Sequence, residues 1–226
     1  MTTKELEAKL GHVFKDRSLL ETALTHSSYA NEKKGRTGAC NERMEFLGDA
    51  VLGFLVAEYL YGAFPDLPEG KMTRLRAELV CEKSLDAVAK KLSLGKYLLL
   101  GHGEEQGGGR TRPSIIADAT EAVLAALYLD GGMELAGKFV RDYIISDFEA
   151  GGSACERDYK TELQEWAQRS SDNTLEYRLV SESGPDHAKN FCVEVLLNGR
   201  SLASGSGRSK KDAEQAAAST ALEGID

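Results

Sequence analysis

The stretch that decides the fold reads Asn41-Glu42-Arg43-Met44-Glu45-Phe46-Leu47-Gly48-Asp49-Ala50-Val51-Leu52-Gly53-Phe54-Leu55-Val56. On a helix, Glu42, Glu45 and Asp49 fall at i, i+3 and i+7 and share one face. Asp49 is the only charged residue between Phe46 and Ala57. Because a helix that is apolar nearly all round is usually buried, this stretch predicts a core helix that carries carboxylates.

A second apolar run repeats the pattern. Asp118 and Glu121 lie at i and i+3 within residues 114–127, which are otherwise uncharged. An unpaired carboxylate in a buried helix is costly, and a divalent cation would neutralise all these acids together. Oxygen-rich carboxylate sites suit Mg²⁺ or Mn²⁺. The alternatives are a solvated acidic stripe or structural salt bridges, for which Arg43 could supply one cation. The spacing favours the metal site.

The pattern along the rest of the chain predicts two domains. Residues 1–150 show helical spacing of apolar residues, with loops at 64–70 and 101–113 and a helix from Ser114 that stops at Asp130-Gly131-Gly132. Small uncharged residues then predict a flexible linker at 151–155. We therefore expect an all-α N-terminal domain.

Residues 156–226 predict a small α+β domain. A helix at 160–170 precedes two alternating stretches, with Leu175, Tyr177 and Leu179 on one strand and Phe191, Val193, Val195 and Leu197 on the next. Asn198-Gly199 predicts a tight hairpin turn into a third strand. An Ala-rich helix at 210–222 completes the order α-β-β-β-α.

The charge balance gives no direct indication of a partner. The net charge is −8, and the segment 156–226, with 9 basic and 13 acidic residues, carries −4 of it. Binding of nucleic acid would therefore depend on local basic clusters rather than on bulk charge. No export leader or membrane-spanning segment is expected, and the four spaced cysteines favour free thiols in the cytoplasm.

Residues 41–52 resemble the signature segment of the bacterial ribonuclease III family, and Asp118-x-x-Glu121 resembles its second acidic motif. Residues 68–77 and Thr25-His26-Ser27-Ser28-Tyr29 are similar to two further family stretches. The resemblance covers residues 5–222. It implies a metal-dependent endonuclease that cuts both strands of double-stranded RNA, leaves 5′-phosphates and short 3′ overhangs, and processes ribosomal RNA precursors and structured messenger RNAs.

The resemblance also implies roles for particular residues. Glu45, Asp49, Asp118 and Glu121 would bind Mg²⁺, for which Mn²⁺ would substitute, and we expect the loss of Asp49 or Glu121 to damage catalysis most. Glu42, near a dimer interface, and Glu69, nearer the RNA, would be auxiliary acids. The family implies a homodimer formed through the signature helix. Phe46 and its neighbours could supply that interface, and packing within one subunit is the alternative for them.

The C-terminal domain resembles a double-stranded RNA-binding domain. Two lysines at a helix N-terminus add to the exposed amides and positive dipole end there, which predicts a phosphate site. A solvated helix start is the alternative for the lysine pair alone. The expected RNA contacts are Gln164, Glu165, His187, Lys189, Ser209, Lys210 and Lys211. Such domains read the shape of duplex RNA through 2′-hydroxyls and phosphates.

Other motifs were considered for chemistry. His26-Ser27-Ser28 lacks a nucleophile elbow and a third catalytic member, so we expect a structural role near the core. Gly107-Gly108-Gly109-Arg110 lacks Gly-Lys-Ser/Thr, so we expect a mobile loop and no nucleotide cofactor. The rival functions are a non-catalytic binder of duplex RNA and a metal-dependent phosphohydrolase of small molecules, which the C-terminal domain makes hard to justify.

Overall fold

A computed structural model of the chain describes residues 3–32, 39–151, 159–168, 173–185 and 189–224. The chain divides into two compact units, Met1–Glu156 and Arg157–Asp226. Apart from Gly151, the predicted linker at 151–155 lies outside the described residues. The domain boundaries drawn from the sequence therefore stay a prediction.

The N-terminal unit is helical, as predicted. Its α-helices are α1 (Lys4–Leu10), α2 (Arg17–Ala23), α3 (Ser27–Glu32), α4 (Glu42–Ala63), α5 (Glu69–Leu79), α6 (Glu82–Leu92), α7 (His102–Gln106), α8 (Pro113–Val140) and α9 (Ser146–Glu149). A π-helical turn, Arg141–Ile145, joins α8 to α9. The two acidic segments of the sequence are therefore both helical.

Helices α4 and α8 form the centre of one hydrophobic core. Leu52, Val56 and Leu60 of α4 are buried there with Val123 and Leu127 of α8. By length and hydropathy alone α4 could cross a membrane, the sole such helix in the described part of the chain. Its buried apolar residues are those of a core helix, whereas Phe46, Phe54 and Tyr61 of the same helix are exposed.

One predicted boundary agrees with the structure and one predicted loop differs from it. The helix expected to stop at Asp130-Gly131-Gly132 does end there, since Gly132 adopts the non-helical φ 77° and ψ −174°, and a second helical segment follows to Val140. The stretch 101–113, expected to be a mobile loop, contains α7 and a 3₁₀ turn. The Arg110 guanidinium holds it by donating to the carbonyl oxygens of Gly95 and Leu98, both at 2.9 Å.

The C-terminal unit follows the predicted order. It contains α10 (Tyr159–Gln168), β1 (Leu175–Ser183), β2 (Asn190–Leu197), β3 (Arg200–Gly207) and α11 (Lys210–Glu223). The three strands form an antiparallel sheet in the order β1-β2-β3. Asn198 and Gly199 both have positive φ, 53° and 77°, as expected of a two-residue hairpin turn.

Small residues let α11 lie directly on the sheet. A Cβ atom added to Gly205 of β3 would stand 2.1 Å from the backbone nitrogen of Ala217. The core of this unit is small, with Leu163, Val195, Ala217, Ala218 and Ala221 buried. This close packing fixes the start of α11, where the sequence predicts a phosphate site, against the end of β3.

Candidate functional site

The two acidic helices approach each other closely beside their carboxylates. Glu45 and Asp49 lie on α4, one turn apart, and Asp118 and Glu121 lie on α8. Between them the helices touch through Gly48, whose added Cβ would lie 2.0 Å from the carbonyl oxygen of Glu121. Only glycine permits this approach, so Gly48 sets how near the acids of α4 come to those of α8.

Glu121 has the most perturbed carboxyl of the cluster. Burial, followed by the charges of Asp49, Glu45 and Asp118, raises the pKa of Glu121 to about 8. Both burial and nearby like charges disfavour the ionised form of an acid. The charges of the other three acids predicted from the sequence therefore act on Glu121, and such perturbed groups cluster at functional sites.

Glu45 and Asp118 are perturbed in the same direction. Burial, then the charges of Asp118, Glu42 and Asp49, raises the pKa of Glu45. For Asp118, burial raises the pKa, the charge of His26 opposes it, and the charge of Glu82 adds to the increase. The sequence reasoning did not place His26 or Glu82 at the site, because both approach it from other parts of the chain.

The residues fit a hard cation by their chemistry. In the described part of the chain, no three acidic, His or Cys side chains are placed to enclose a metal ion as they stand. The four carboxyls nevertheless supply oxygen ligands only, and their mutual repulsion is what a divalent cation would relieve. The donor set suits Mg²⁺ or Mn²⁺ and offers no soft ligand for other metals.

The two auxiliary acids differ in position. Glu42 is exposed in the first turn of α4, and its charge acts on Glu45. Glu69 begins α5, and its Oε1 accepts a hydrogen bond from the Thr73 hydroxyl at 2.8 Å. Glu69 lines a groove of about 490 Å³ between α4 and α5. Among the described residues, the charges that shift the pKa values of Glu45, Asp118 and Glu121 do not include that of Glu69. The structure brings Glu42, but not Glu69, to the cluster.

One face of α4 carries large apolar side chains into solvent. Phe46 is 80% exposed, Tyr61 77% and Phe54 54%. The groove between α4 and α5 opens on this face, and Phe54, Tyr61 and Met72 line it. Packing of Phe46 within its own subunit, the alternative left open by the sequence, is not what the structure shows.

In the C-terminal unit the predicted phosphate site is a well-formed helix start. Ser209 caps α11: its Oγ accepts from the Asp212 N–H, and its own N–H donates to the Asp212 carboxylate, both at 3.1 Å. Lys210 and Lys211 occupy the first two positions of α11 and are exposed. Ser209 therefore acts first as a cap, which orders the amides that a phosphate would meet.

The other expected RNA contacts are partly described. Lys189 pairs with Glu182 at 2.5 Å, and the charge of Lys210 also acts on Glu182, so the end of the β1–β2 loop and the start of α11 lie close together. Gln164 and Glu165 are exposed on α10. His187 lies outside the described residues.

Comparisons with known proteins identify the family of each unit. Residues 16–148 match the family model described as ribonuclease-III-like, and residues 159–225 match the double-stranded RNA binding motif. A ribonuclease 3 of Enterococcus faecalis is 51% identical over 223 residues, covering 99% of this chain and 97% of the relative. One from Oceanobacillus iheyensis is 48% identical over 225 residues, covering 100% and 99%.

A solved structure matches the N-terminal unit. The nuclease domain of ribonuclease III from Campylobacter jejuni aligns with a TM-score of 0.61 and 43% identity, covering 66% of this chain and 99% of that one. The two ribonuclease 3 relatives match both units of this chain, because each is covered over nearly its whole length. The chain belongs to the ribonuclease III family and is an endonuclease of double-stranded RNA.

Proposed function

We propose that Glu45, Asp49, Asp118 and Glu121 bind Mg²⁺, with Mn²⁺ as a substitute, and that the bound cation makes this chain a metal-dependent nuclease. The observation that carries the proposal is that burial, followed by the charges of Asp49, Glu45 and Asp118, raises the pKa of Glu121 to about 8. A cation held by these four acids would supply an activated water and would neutralise phosphate oxygens during hydrolysis.

The chain's own residues prepare the site for that chemistry. Asp49 and Glu121 present oxygens from two helices whose spacing Gly48 fixes. Before a cation binds, the Glu121 carboxyl holds a proton at neutral pH, since its pKa is near 8. Binding must displace that proton, so the affinity for the cation should rise as the pH approaches 8.

We infer that two copies of the chain pair through the exposed face of α4. Phe46, Phe54 and Tyr61 form an apolar stripe beside a groove on the same face, which makes the surface self-complementary. A two-fold dimer matches an antiparallel duplex, with one acidic cluster for each strand. Staggered cuts would leave 5′-phosphates and short 3′ overhangs. The Campylobacter jejuni structure is described as having a region involved in dimer formation in its nuclease domain.

The RNA-binding unit would hold the duplex through the start of α11. Lys210 and Lys211 would meet phosphates together with the amides that Ser209 orders, and Lys189 lies near them. Gln164, Glu165 and His187 would contact the minor groove. Ribosomal RNA precursors and structured messenger RNAs in the cytoplasm are the proposed substrates.

Cleavage of a long RNA duplex in a Mg²⁺ titration tests the metal site. Asp49→Asn and Glu121→Gln should each lower the single-turnover rate by about 10³-fold or more, about 4 kcal/mol, while duplex affinity stays the same. Glu134→Gln, an exposed acid on α8, is the matched control and should cut normally. Wild-type cutting without a divalent cation would contradict the proposal.

Sedimentation tests the dimer. Phe46→Asp should yield monomers, because it places a charge in the apolar stripe, while Val13→Asp should leave the dimer intact. Val13 is 70% exposed but lies outside α4, so it controls for the loss of an exposed apolar side chain. A dimeric Phe46→Asp variant would contradict the proposed interface.

Salt dependence tests the RNA contacts. Replacing Lys210 and Lys211 by alanine should weaken duplex binding and lower the slope of log affinity against log salt by about 2. Lys90 and Lys91, another adjacent pair, lie at the end of α6 in the other unit and serve as the control. An unchanged slope would remove the start of α11 from the interface.

A further inference from the structure

An acidic residue of the C-terminal unit stands on the face of the sheet that α11 covers. Glu182 of β1 is directly opposite Phe191 of β2, and Phe191 is opposite Gly207 of β3. Directly opposed residues point to the same face of a sheet. A Cβ added to Gly207 would lie 2.6 Å from the Ala213 backbone nitrogen, so the first turn of α11 rests on this face. Glu182 is therefore two strands, about 10 Å, from the residue on which α11 begins.

A lysine that we expect to bind RNA holds the Glu182 side chain. Glu182 Oε1 accepts from Lys189 Nζ at 2.5 Å, and the two side chains are 39% and 37% exposed. The hydrogen bond from Lys189 and then its charge lower the pKa of Glu182, partial burial opposes this, and the charge of Lys210 lowers it further. The carboxyl is therefore ionised at neutral pH, and solvent reaches it.

The two carboxylates near the start of α11 have different partners. Asp212 accepts from the Ser209 N–H in the capping box and so helps to order the helix start. Among the described residues, the hydrogen bond to Glu182 comes from a lysine side chain instead. A carboxylate among lysines repels an approaching phosphate and occupies a cation that the phosphate would otherwise meet. The position of Glu182 therefore opposes the binding of a polyanion.

We propose that Glu182 is a competing anion that limits the RNA affinity of the C-terminal unit, because a phosphate must displace its carboxylate from Lys189. The inference rests on the proposed RNA contacts, which it deepens by naming an acid that opposes them. Binding of a duplex then exchanges one anionic partner of Lys189 for another, so Lys189 contributes less than a lysine without such a carboxylate.

Glu182→Gln in the full chain tests the competition. In EDTA, which keeps an RNA duplex intact, its duplex affinity should be about 5-fold higher than that of the wild type at moderate salt. The slope of log affinity against log salt should steepen by about 1, because one more cation becomes available to phosphate. Unchanged or weaker binding by Glu182→Gln would overturn the proposal.

Glu194→Gln is the matched control. Glu194 pairs with Arg178 at 2.6 Å on the same sheet. It is adjacent to Val195, which is buried beneath α11, so it points to the opposite face. This variant should bind duplex as the wild type does. An equal gain in both variants would mean that the loss of any acid strengthens binding, which would overturn the specific role of Glu182.

A double-mutant cycle tests whether Lys189 is the contested cation. Lys189→Ala should weaken binding about 3-fold more in the Glu182→Gln background than in the wild type, where the lysine must first leave its carboxylate. Equal losses in the two backgrounds would overturn the competition for Lys189. An unchanged salt slope after replacement of Lys210 and Lys211 by alanine would instead reject the proposed RNA surface, so the two failures are distinguishable.

Discussion

Two carboxylates on the same helix, Glu121 and Asp130 of α8, have opposite surroundings. Burial and three neighbouring carboxyls raise the pKa of Glu121 to about 8. Burial alone would raise the pKa of Asp130 too, but hydrogen bonds from the Asp16 amide, the His12 ring and the Lys15 amide lower it. The Asp130 side chain is only 2% exposed, so burial does not distinguish the two acids. The two acids differ in their neighbours, which are carboxyls around Glu121 and hydrogen-bond donors around Asp130.

The comparison teaches how to tell a structural acid from one that requires a ligand. Asp130 accepts from His12 Nε2 at 2.6 Å, from the Asp16 N–H at 2.9 Å and from the Lys15 N–H at 3.0 Å, so the protein itself satisfies its charge. Glu121 faces other acids, whose charges the proposed cation would neutralise. A carboxylate surrounded by hydrogen-bond donors stabilises the folded state. A carboxylate surrounded by other carboxylates destabilises the folded state unless a cation binds.

The largest expected effect on stability comes from Gly48→Ala, which disturbs the contact that holds Glu121 near α4. The new Cβ would lie 2.0 Å from the Glu121 carbonyl oxygen, so the helices must separate. We expect a loss of about 3 kcal/mol in the free energy of unfolding and a fall of about 100-fold in cleavage. Denaturant unfolding measures the change in the free energy of unfolding, and single-turnover kinetics measure the change in cleavage rate.

Gly62→Ala on the same helix is the control. Nothing lies within 4 Å of its added Cβ, so alanine should stabilise the protein by about 0.5–1 kcal/mol through helix propensity. Equal effects of the two substitutions would mean that helix spacing does not govern the acidic cluster.

The second-largest change in stability is expected from Glu121→Gln. Without metal, Glu121→Gln should stabilise the protein by about 1–2 kcal/mol at pH 8.5, a figure reduced because solvent reaches part of the carboxyl. The pKa of Glu121 is raised in the folded state, from 4.5 to about 8, so its contribution to stability is fully present below pH 4.5 and is lost as the pH rises through about 8. The gain from glutamine should therefore vanish near pH 5. Unfolding in EDTA across this range measures it.

With Mg²⁺ added, the wild type should become more stable than Glu121→Gln. The wild type gains stability from the cation, and Glu121→Gln gains less, since it has one charged ligand fewer. Glu134→Gln should show neither effect. A variant at position 121 that is less stable than wild type at pH 8.5 without metal would show that the carboxyl is satisfied, as Asp130 is.

The smallest expected effect concerns Asp130. Asp130→Asn should cost about 1 kcal/mol at pH 7, because an amide nitrogen would face one of the three donors. The folded-state pKa of Asp130 is lowered, so its contribution is present above the unfolded value of 3.8 and is lost as the pH falls through the folded value. The wild type and the variant should converge in stability below that range. Asp66→Asn, in an exposed loop, should not change stability at either pH.

Much of the site could be predicted from local sequence. Asp49 stands alone among the apolar residues of one helix, and Asp118 and Glu121 share a face of another, which predicted acids close to one another. The charges of Asp49 and Asp118 do act on Glu121, but Asp49 is exposed rather than buried. The turn at Asn198-Gly199 and the lysines at the start of α11 could likewise be predicted from adjacent residues in the sequence. Each of these features is set by neighbours within a few positions in the chain.

The remaining features depend on contacts between distant positions. The role of Gly48 needs the backbone of α8, and the approach of His26 and Glu82 to Asp118 needs the folded core. The glycine-rich stretch 101–113 has the composition of a mobile loop, yet Arg110 reaches two carbonyls 12 and 15 positions earlier and holds it. Composition does not show such a bond.

The contact at Gly48 has a consequence for how the family can vary. Where the main chains of two helices touch, the separation of the helices does not depend on the size of a side chain between them. Core residues elsewhere can therefore change in size without moving the acids apart. Exchanging aspartate and glutamate at position 49 or 121 would then shift an oxygen by about one methylene on an unchanged frame. Ion preference could be retuned by side-chain length alone, without redesigning the scaffold.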